Sequence, residues 1–326
     1  MIRVFRTIDD ELVRVSEGGL QEEGIWINLV QPTEEELNMV AREAQIVPDL
    51  LRAALDEEER SRTEVEDNQL LILINIPIYE GTNGSILYDT IPLGIIVAEN
   101  AIITVCLKDD IFFQEIERTK VKTFYTFKKT RFVLQILFKT ATYYLRYLKQ
   151  IDKKTSEIEG ELHKSLKNEE LIKLLNLEKS LVYFTTSLKA NEVVLEKLLR
   201  SQLAKGDPEN TETSRILKMY PEDEDVLEDV ITENKQAIEM AETYNNILVG
   251  MMDAFASVIS NNLNIVMKYL TSVTIVMALP TMVASFYGMN VALPFQHSPY
   301  AFPITLGFSF LLSVAGMIVL KRNNMF

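Results

Sequence analysis

Asn264, Met267, Thr271, Thr274, Ala278, Thr281 and Ser285 follow one another at alternating steps of three and four residues, the spacing that lays side chains along one stripe of a helix. From Thr271 onward every member is small and most carry a hydroxyl. Small residues let another helix approach closely. Hydroxyls and backbone carbonyls around a water-filled path instead pass a cation that keeps much of its hydration. The stripe by itself serves both readings. Asp253 stands 11 residues before Asn264, close to three whole turns, and so continues the stripe. Repeated by symmetry it makes a ring of carboxylates that concentrates divalent cations at an inner mouth. Asp229 lies a further 24 residues back, about 240° around the helix, so it faces outward, and anything it binds it shares with a neighbouring domain and not the central axis.

No other constellation competes. No Gly-rich nucleotide loop, Ser/His/Asp set or His/Cys cluster occurs in the 326 residues, so neither an enzyme nor an organic cofactor is expected. The two histidines are His163, in a charged helix and read as a surface residue, and His297. Asp56-Glu57-Glu58-Glu59 reads more readily as a solvated loop than as a metal site. The formal net charge of −14 argues against nucleic acid, which wants a basic patch; an acidic surface is compatible with cations and with plain solubility. The single cysteine, Cys106, sits in an apolar run, which excludes a disulfide framework and fits a buried thiol.

The elements that position these residues begin with a gap in charge. Between Lys268 and Lys321 there is no Asp, Glu, Lys or Arg, and residues 269–287 and 302–320 each match a membrane span of roughly 20 residues. A span must satisfy its own backbone in lipid, so both are helices. Charges at the N-terminus leave no apolar core for an export signal. With Lys268, Lys321 and Arg322 flanking the hairpin, both termini are expected in the cytosol and residues 288–301 outside. Residues 222–268 form a stalk helix that opens on acids and continues through the first span, close to 95 Å in all. Val230, Ala237, Tyr244, Met251 and Val258, with Met240, Ile247 and Ala254 beside them, form a seven-residue seam. It is too long for its own domain to cover, so a homo-oligomer is expected.

Residues 131–221 repeat at sevens, through Leu137, Tyr144, Ile151 and Ile158 and then Leu174, Leu181, Leu188 and Leu195, and predict a long antiparallel helix pair broken at 205–210. Residues 1–130 read as an α/β domain. It has strands at 2–5, 25–30, 70–78, 93–98 and 102–107, a turn at 80–85, and helices after Thr33 and Pro48. The predicted fold is an α+β cytosolic domain with long helices, then the stalk and a two-helix transmembrane hairpin.

Tyr287-Gly288-Met289-Asn290 closes a proline-containing span, precedes a short outer loop, and is followed by a second span that ends the chain. In that placement it resembles the signature of the CorA family of magnesium channels. The likeness covers the whole layout and is specific in residues from about Asp229 to Asn290. It implies a homopentameric funnel in the inner or plasma membrane that takes up Mg2+ down its gradient. Asn290 would form an outer ring that holds hydrated Mg2+ through water. Alignment through the motif puts Asn264, Met267, Leu270, Ala278, Thr281, Ser285 and Asn290 at the family's pore-lining positions, in large agreement with the stripe. It also implies an inner-pore role for Asp253 and, for Asp229, half of an intersubunit Mg2+ sensor that holds the channel closed, with Asp56 and Glu57 as candidate partners. Mg2+ is then both substrate and regulator. It loses water reluctantly and prefers oxygen, which suits amides, hydroxyls and a few carboxylates.

The sequence departs from that pattern in four places. The loop after Asn290 carries no acid, Ala278 stands where a methionine often narrows the pore, the basic tail is reduced to Lys321 and Arg322, and the partner of Asp229 does not align clearly. Two rivals remain. One is a transporter of zinc, or of cobalt or nickel, from the same superfamily, for which the neutral loop and His297 leave room. The other is a membrane-anchored coiled-coil scaffold in which the stripe is only packing.

Overall fold

The computed structural model describes residues 1–326 except 16–19, 83–84, 110, 119–123, 163–167, 204–207, 292, 295–297, 324 and 326. These residues group into two compact units, Met1–Gly250 and Met251–Phe326.

The first unit is built on a seven-stranded sheet: β1 (Ile2–Ile8), β2 (Glu11–Val15), β3 (Ile25–Val30), β4 (Arg62–Glu66), β5 (Gln69–Thr82), β6 (Ser85–Val97) and β7 (Ala101–Cys106). The order is β2-β1-β3-β7-β6-β5-β4. Among the described residues, only β3 and β7 pair in parallel. Both are buried along their whole length, as a central strand covered on two faces must be, and this is why their sequences are apolar without alternation. One face, with Ile27, Leu29, Ile103 and Val105, packs under α1 (Glu34–Glu43) and α2 (Pro48–Ala53). Helix α1 starts with a capping box between Thr33 and Glu36, and α2 starts on Pro48. Gly94 of β6 is required here, because a Cβ would lie 2.8 Å from the Cβ of Ala54.

The opposite face is covered by α4 (Lys129–Leu162) and α5 (Asn168–Leu203). The Trp26 ring packs against Phe132, and Trp26 Nε1 donates to Thr104, whose hydroxyl donates to Asn28, so that buried polar chain is satisfied. The residues expected at sevens on α4 and α5 are buried. Each helix packs on the other and also on the sheet, α5 reaching β4, β5 and β6. Asn191 of α5 accepts from the backbone of Asn75, donates back to its carbonyl and bonds Ser61. Cys106 is buried.

Four elements escape the sequence reading: β2, β4, α3 (Ile111–Arg118) and α6 (Pro208–Ile216). The two strands are five-residue sheet edges, half-exposed and interrupted by charged residues, so no continuous apolar run announces them. His163, residues 205–207 of the expected helix break, and the centre of the expected turn at 83–84 lie outside the described residues.

Helix α7 (Pro221–Tyr287) is a single helix of 67 residues, the first part in one unit and the rest in the other. It opens on Glu222, Asp223 and Glu224, acids at the positive end of the helix. The expected seam needs a correction. Val230 and Ala237 are buried inside the chain's own unit, on a face completed by Leu227, Asn234, Ala241 and Leu248. Helix α5 lies alongside: Asn234 donates to the Leu188 carbonyl at 3.2 Å and Glu242 pairs with Lys189 at 2.6 Å. Ile247 and Val258 stay exposed. A seven-residue repeat cannot distinguish a neighbour in the same chain from a copy, and at Asn234 and Glu242 the neighbour is α5.

Candidate functional site

In the second unit α7 is followed by α8 (Ala301–Arg322). Both helices are long and apolar enough to cross a membrane, and α8 leaves Phe302, Leu306, Phe310 and Leu311 exposed, a surface that requires an apolar surrounding. One face of α7 is covered: Ser272 and Val283 are buried and Val276 and Leu279 half-buried. Ser272 Oγ donates to the Met325 carbonyl at 2.9 Å. Gly316 of α8 admits Leu279, whose Cδ1 would lie 2.8 Å from a Cβ there. Ser272, Gly316 and Leu279 escape the sequence reading. The signal, small residues where two apolar helices meet, is present but also fits several other positions.

The stripe lies on another side. Asn264, Met267, Leu270, Thr271, Thr274, Ala278, Thr281 and Ser285 are all exposed in the single chain. Thr274, two residues beyond the buried Ser272, is turned from it by about 200°. Of the residues left between lipid and the second span, Val283 is buried, Val273, Val276 and Leu279 are half-buried, Leu279 against α8, and Ile275 and Met282 stay exposed. Thr274 Oγ1 donates to the Leu270 carbonyl at 2.8 Å and Thr281 Oγ1 to the Met277 carbonyl at 3.1 Å. Each hydroxyl has then used its one hydrogen, and what it presents outward is acceptor lone pairs. A water bound to a divalent cation offers hydrogens, so these groups match a hydrated ion. Pro280 lies within the helix, which continues across it; its missing N–H leaves the Val276 carbonyl without its i+4 donor.

The helix ends at Tyr287. The Gly288 N–H donates to the carbonyls of Ala284 (3.0 Å) and Ser285 (3.2 Å), and the Met289 N–H to Phe286 (3.2 Å). Tyr287 Oη donates to the Pro294 carbonyl at 3.4 Å. A Cβ on Gly288 would meet Ala284 O at 3.5 Å, an ordinary contact, so nothing inside one chain demands glycine there. Asn290 is exposed, and His297 lies outside the described residues.

Asp253 and Asp229 are exposed on α7, and Asp56 and Glu57 are exposed in the segment before β4. Asp56 Oδ1 accepts from the Glu58 N–H at 3.0 Å. The Glu80 carboxylate, by its hydrogen bond, raises the pKa of Lys108 against the opposing effect of burial, and Glu57 and Asp89 add to the rise. Among the described residues no three His, Cys, Asp or Glu side chains come together to hold a metal. Asp229, Asp56 and Glu57 therefore form no site within one chain.

The model of the CorA-like Mg2+ transporter protein family matches residues 21–322. The cobalt/magnesium transport protein CorA of Methanocaldococcus jannaschii is 30% identical over 310 residues, 92% of this chain and 90% of the relative. The protein of the same name from Thermotoga maritima is 24% identical over 292 residues, 85% and 76% of the two chains. The complete structure of the CorA magnesium transporter from Methanocaldococcus jannaschii superposes with a TM-score of 0.76 at 26% identity, covering 99% of this chain and 96% of that one. With the family match running from the sheet through both membrane helices, this chain belongs to the CorA-like Mg2+ transporter family.

Proposed function

We propose that copies of this chain assemble into a membrane channel for divalent cations, Mg2+ first among them. The observation that carries this reading is the division of labour on α7. The side bearing Ser272 and Val283 is packed within the hairpin, while the oxygen-bearing stripe from Asn264 to Ser285 stays exposed and, its Thr274 and Thr281 hydrogens being spent on carbonyls of the same helix, presents acceptors. Copies arranged about an axis would turn those stripes inward around water. The relatives named as cobalt/magnesium transport proteins support the choice of ion.

The chemistry follows from the cargo. Hydrated Mg2+ keeps its inner waters, so neutral oxygens that accept from those waters bind it weakly enough for it to leave. Asn290 at the end of α7 would form the outer ring and Asp253 the inner ring of carboxylates. Met267 and Leu270, exposed and apolar, would form the constriction that dewets when closed. Asp229 would meet Asp56 and Glu57 of an adjacent copy and bind regulatory Mg2+ there, which fits their failure to form a site in one chain. A pentamer with both termini in the cytosol is the assembly we propose, on the family resemblance and the flanking Lys268, Lys321 and Arg322.

The test is flux into vesicles holding the purified protein and a Mg2+-sensitive dye, with Zn2+ compared in parallel. Mg2+ influx that disappears in Asn290→Ala while the oligomer elutes unchanged is expected. Normal influx in that variant removes Asn290 from the pathway, and no flux of any cation would leave a packed scaffold.

A further inference from the structure

A cleft of about 820 Å³ lies where α4 begins and where α6 hands over to α7. All of it belongs to the first unit, and none of the residues assigned to the ion pathway line it. Its volume is in the range of small-molecule sites, roughly 300–1,000 Å³. Two bonds pin its walls together: Thr130 Oγ1 donates to the Lys218 carbonyl at 2.7 Å and Arg131 Nη1 to the Glu222 carbonyl at 2.8 Å. The cleft is preformed.

Its charge runs against the rest of the molecule. In a chain of net charge −14, the lining holds Lys128, Lys129, Arg131 and Lys218 against only Glu222 and Asp223. Asp223 is already engaged, by Arg131 at 3.3 Å and by the Tyr220 N–H. Lys129 donates to the carbonyls of Ala98 and Glu99. The other two lysines are different. Lys128 Nζ sits 5.3 Å from the Tyr125 ring centre and Lys218 Nζ 5.7 Å from that of Tyr220, and among the described residues neither pairs with a carboxylate. Stacking over a ring restrains an ammonium without using its hydrogens, so both keep donors for an anion. Helix α4 starts here and its dipole adds positive potential, while the start of α7 carries its own acids, Glu222, Asp223 and Glu224. The walls also carry two large exposed rings, Phe127 at 59% and Tyr220 at 60%, an apolar surface that water covers poorly.

We propose that this cleft binds a nucleoside polyphosphate, with phosphate oxygens on Lys128 and Lys218 and the base against Phe127 and Tyr220. Charge alone calls for an anion. The exposed rings beside the free ammoniums call for one that also carries a flat face, which an inorganic ion lacks.

The experiment titrates the full-length protein in detergent with ATP, tripolyphosphate and adenosine by calorimetry. EDTA is present throughout, so that no bound metal can bridge the phosphates and the outcome is independent of ion flux. ATP is expected to bind saturably, with a dissociation constant tighter than about 1 mM, tripolyphosphate more weakly and adenosine weakest. Lys128→Glu with Lys218→Glu should weaken ATP at least about tenfold. Phe127→Ala with Tyr220→Ala should bring ATP down to the level of tripolyphosphate and leave tripolyphosphate unchanged. In the unaltered protein, raising salt from about 50 to 500 mM should weaken ATP several-fold, a readout that needs no variant to fold. Absence of saturable ATP binding, an unchanged lysine double variant, or salt-insensitive binding overturns the proposal. Tripolyphosphate binding as tightly as ATP overturns the nucleoside class.

Discussion

Leu279 of α7 and Gly316 of α8 meet so closely that a Cβ on the glycine would lie 2.8 Å from the leucine Cδ1. This contact and the Ser272 to Met325 bond fix which side of α7 the hairpin consumes, and therefore which side is left exposed. Gly316→Ala should be tolerated, because the end of the leucine side chain can swing aside. Gly316→Leu should destabilise the hairpin by about 1–3 kcal/mol through overpacking, read as a lower melting temperature in detergent with loss of flux. A Gly316→Leu protein that melts and conducts normally would mean that the two helices do not meet there.

The hydroxyls of Thr274 and Thr281 are tied to carbonyls one turn back. Thr→Val at both positions keeps shape and removes the outward acceptors, whereas Thr→Ser keeps them. Mg2+ flux should fall about tenfold in the valine pair, by the loss of a hydrogen bond or so to the hydrated ion, and hold near normal in the serine pair. Equal flux in both would show that the stripe works through size alone.

Asp253 is exposed on α7, 11 residues before Asn264. Asp253→Asn should lower Mg2+ flux several-fold at low ionic strength, and the deficit should shrink as salt screens the ring. The quantity to measure is the ratio of variant to native rate across a salt series. A ratio that ignores salt would assign Asp253 a structural task.

Asp229→Ala should weaken the protection that Mg2+ gives α7 against limited proteolysis. The same loss should follow from replacing Asp56 and Glu57 together, if those residues are the partners across the subunit boundary. Protection unchanged in Asp229→Ala would remove it from any sensor.

Asn191 is 3% exposed and holds the backbone N–H and carbonyl of Asn75, each at 2.8 Å. Asn191→Ala leaves the Asn75 N–H without its partner, while the carbonyl keeps the Tyr144 hydroxyl, and should cost about 1–3 kcal/mol, visible as a lower midpoint in chemical denaturation. A shift within about 0.5 kcal/mol would mean that water replaces the side chain.

Much of this protein follows from the order of its residues alone. Charge-free runs of membrane length, a Thr33 cap with three glutamates, Pro48 at a helix start, and leucines at sevens are local signals, and each states its element without knowledge of the rest. The stripe on α7 is also local, since spacing on one helix sets which side chains share a face. Other features depend on what lies opposite. Strands β2 and β4 pair at the open edges of the sheet, and their short, charge-interrupted sequences do not announce it. Val230 and Ala237 repeat like an oligomer seam, yet both are buried within their own chain. The cleft joins residues near 128 to residues near 218, positions unrelated until α4 and α7 are brought to start side by side. Periodicity tells a helix which face is apolar; only packing decides what covers it.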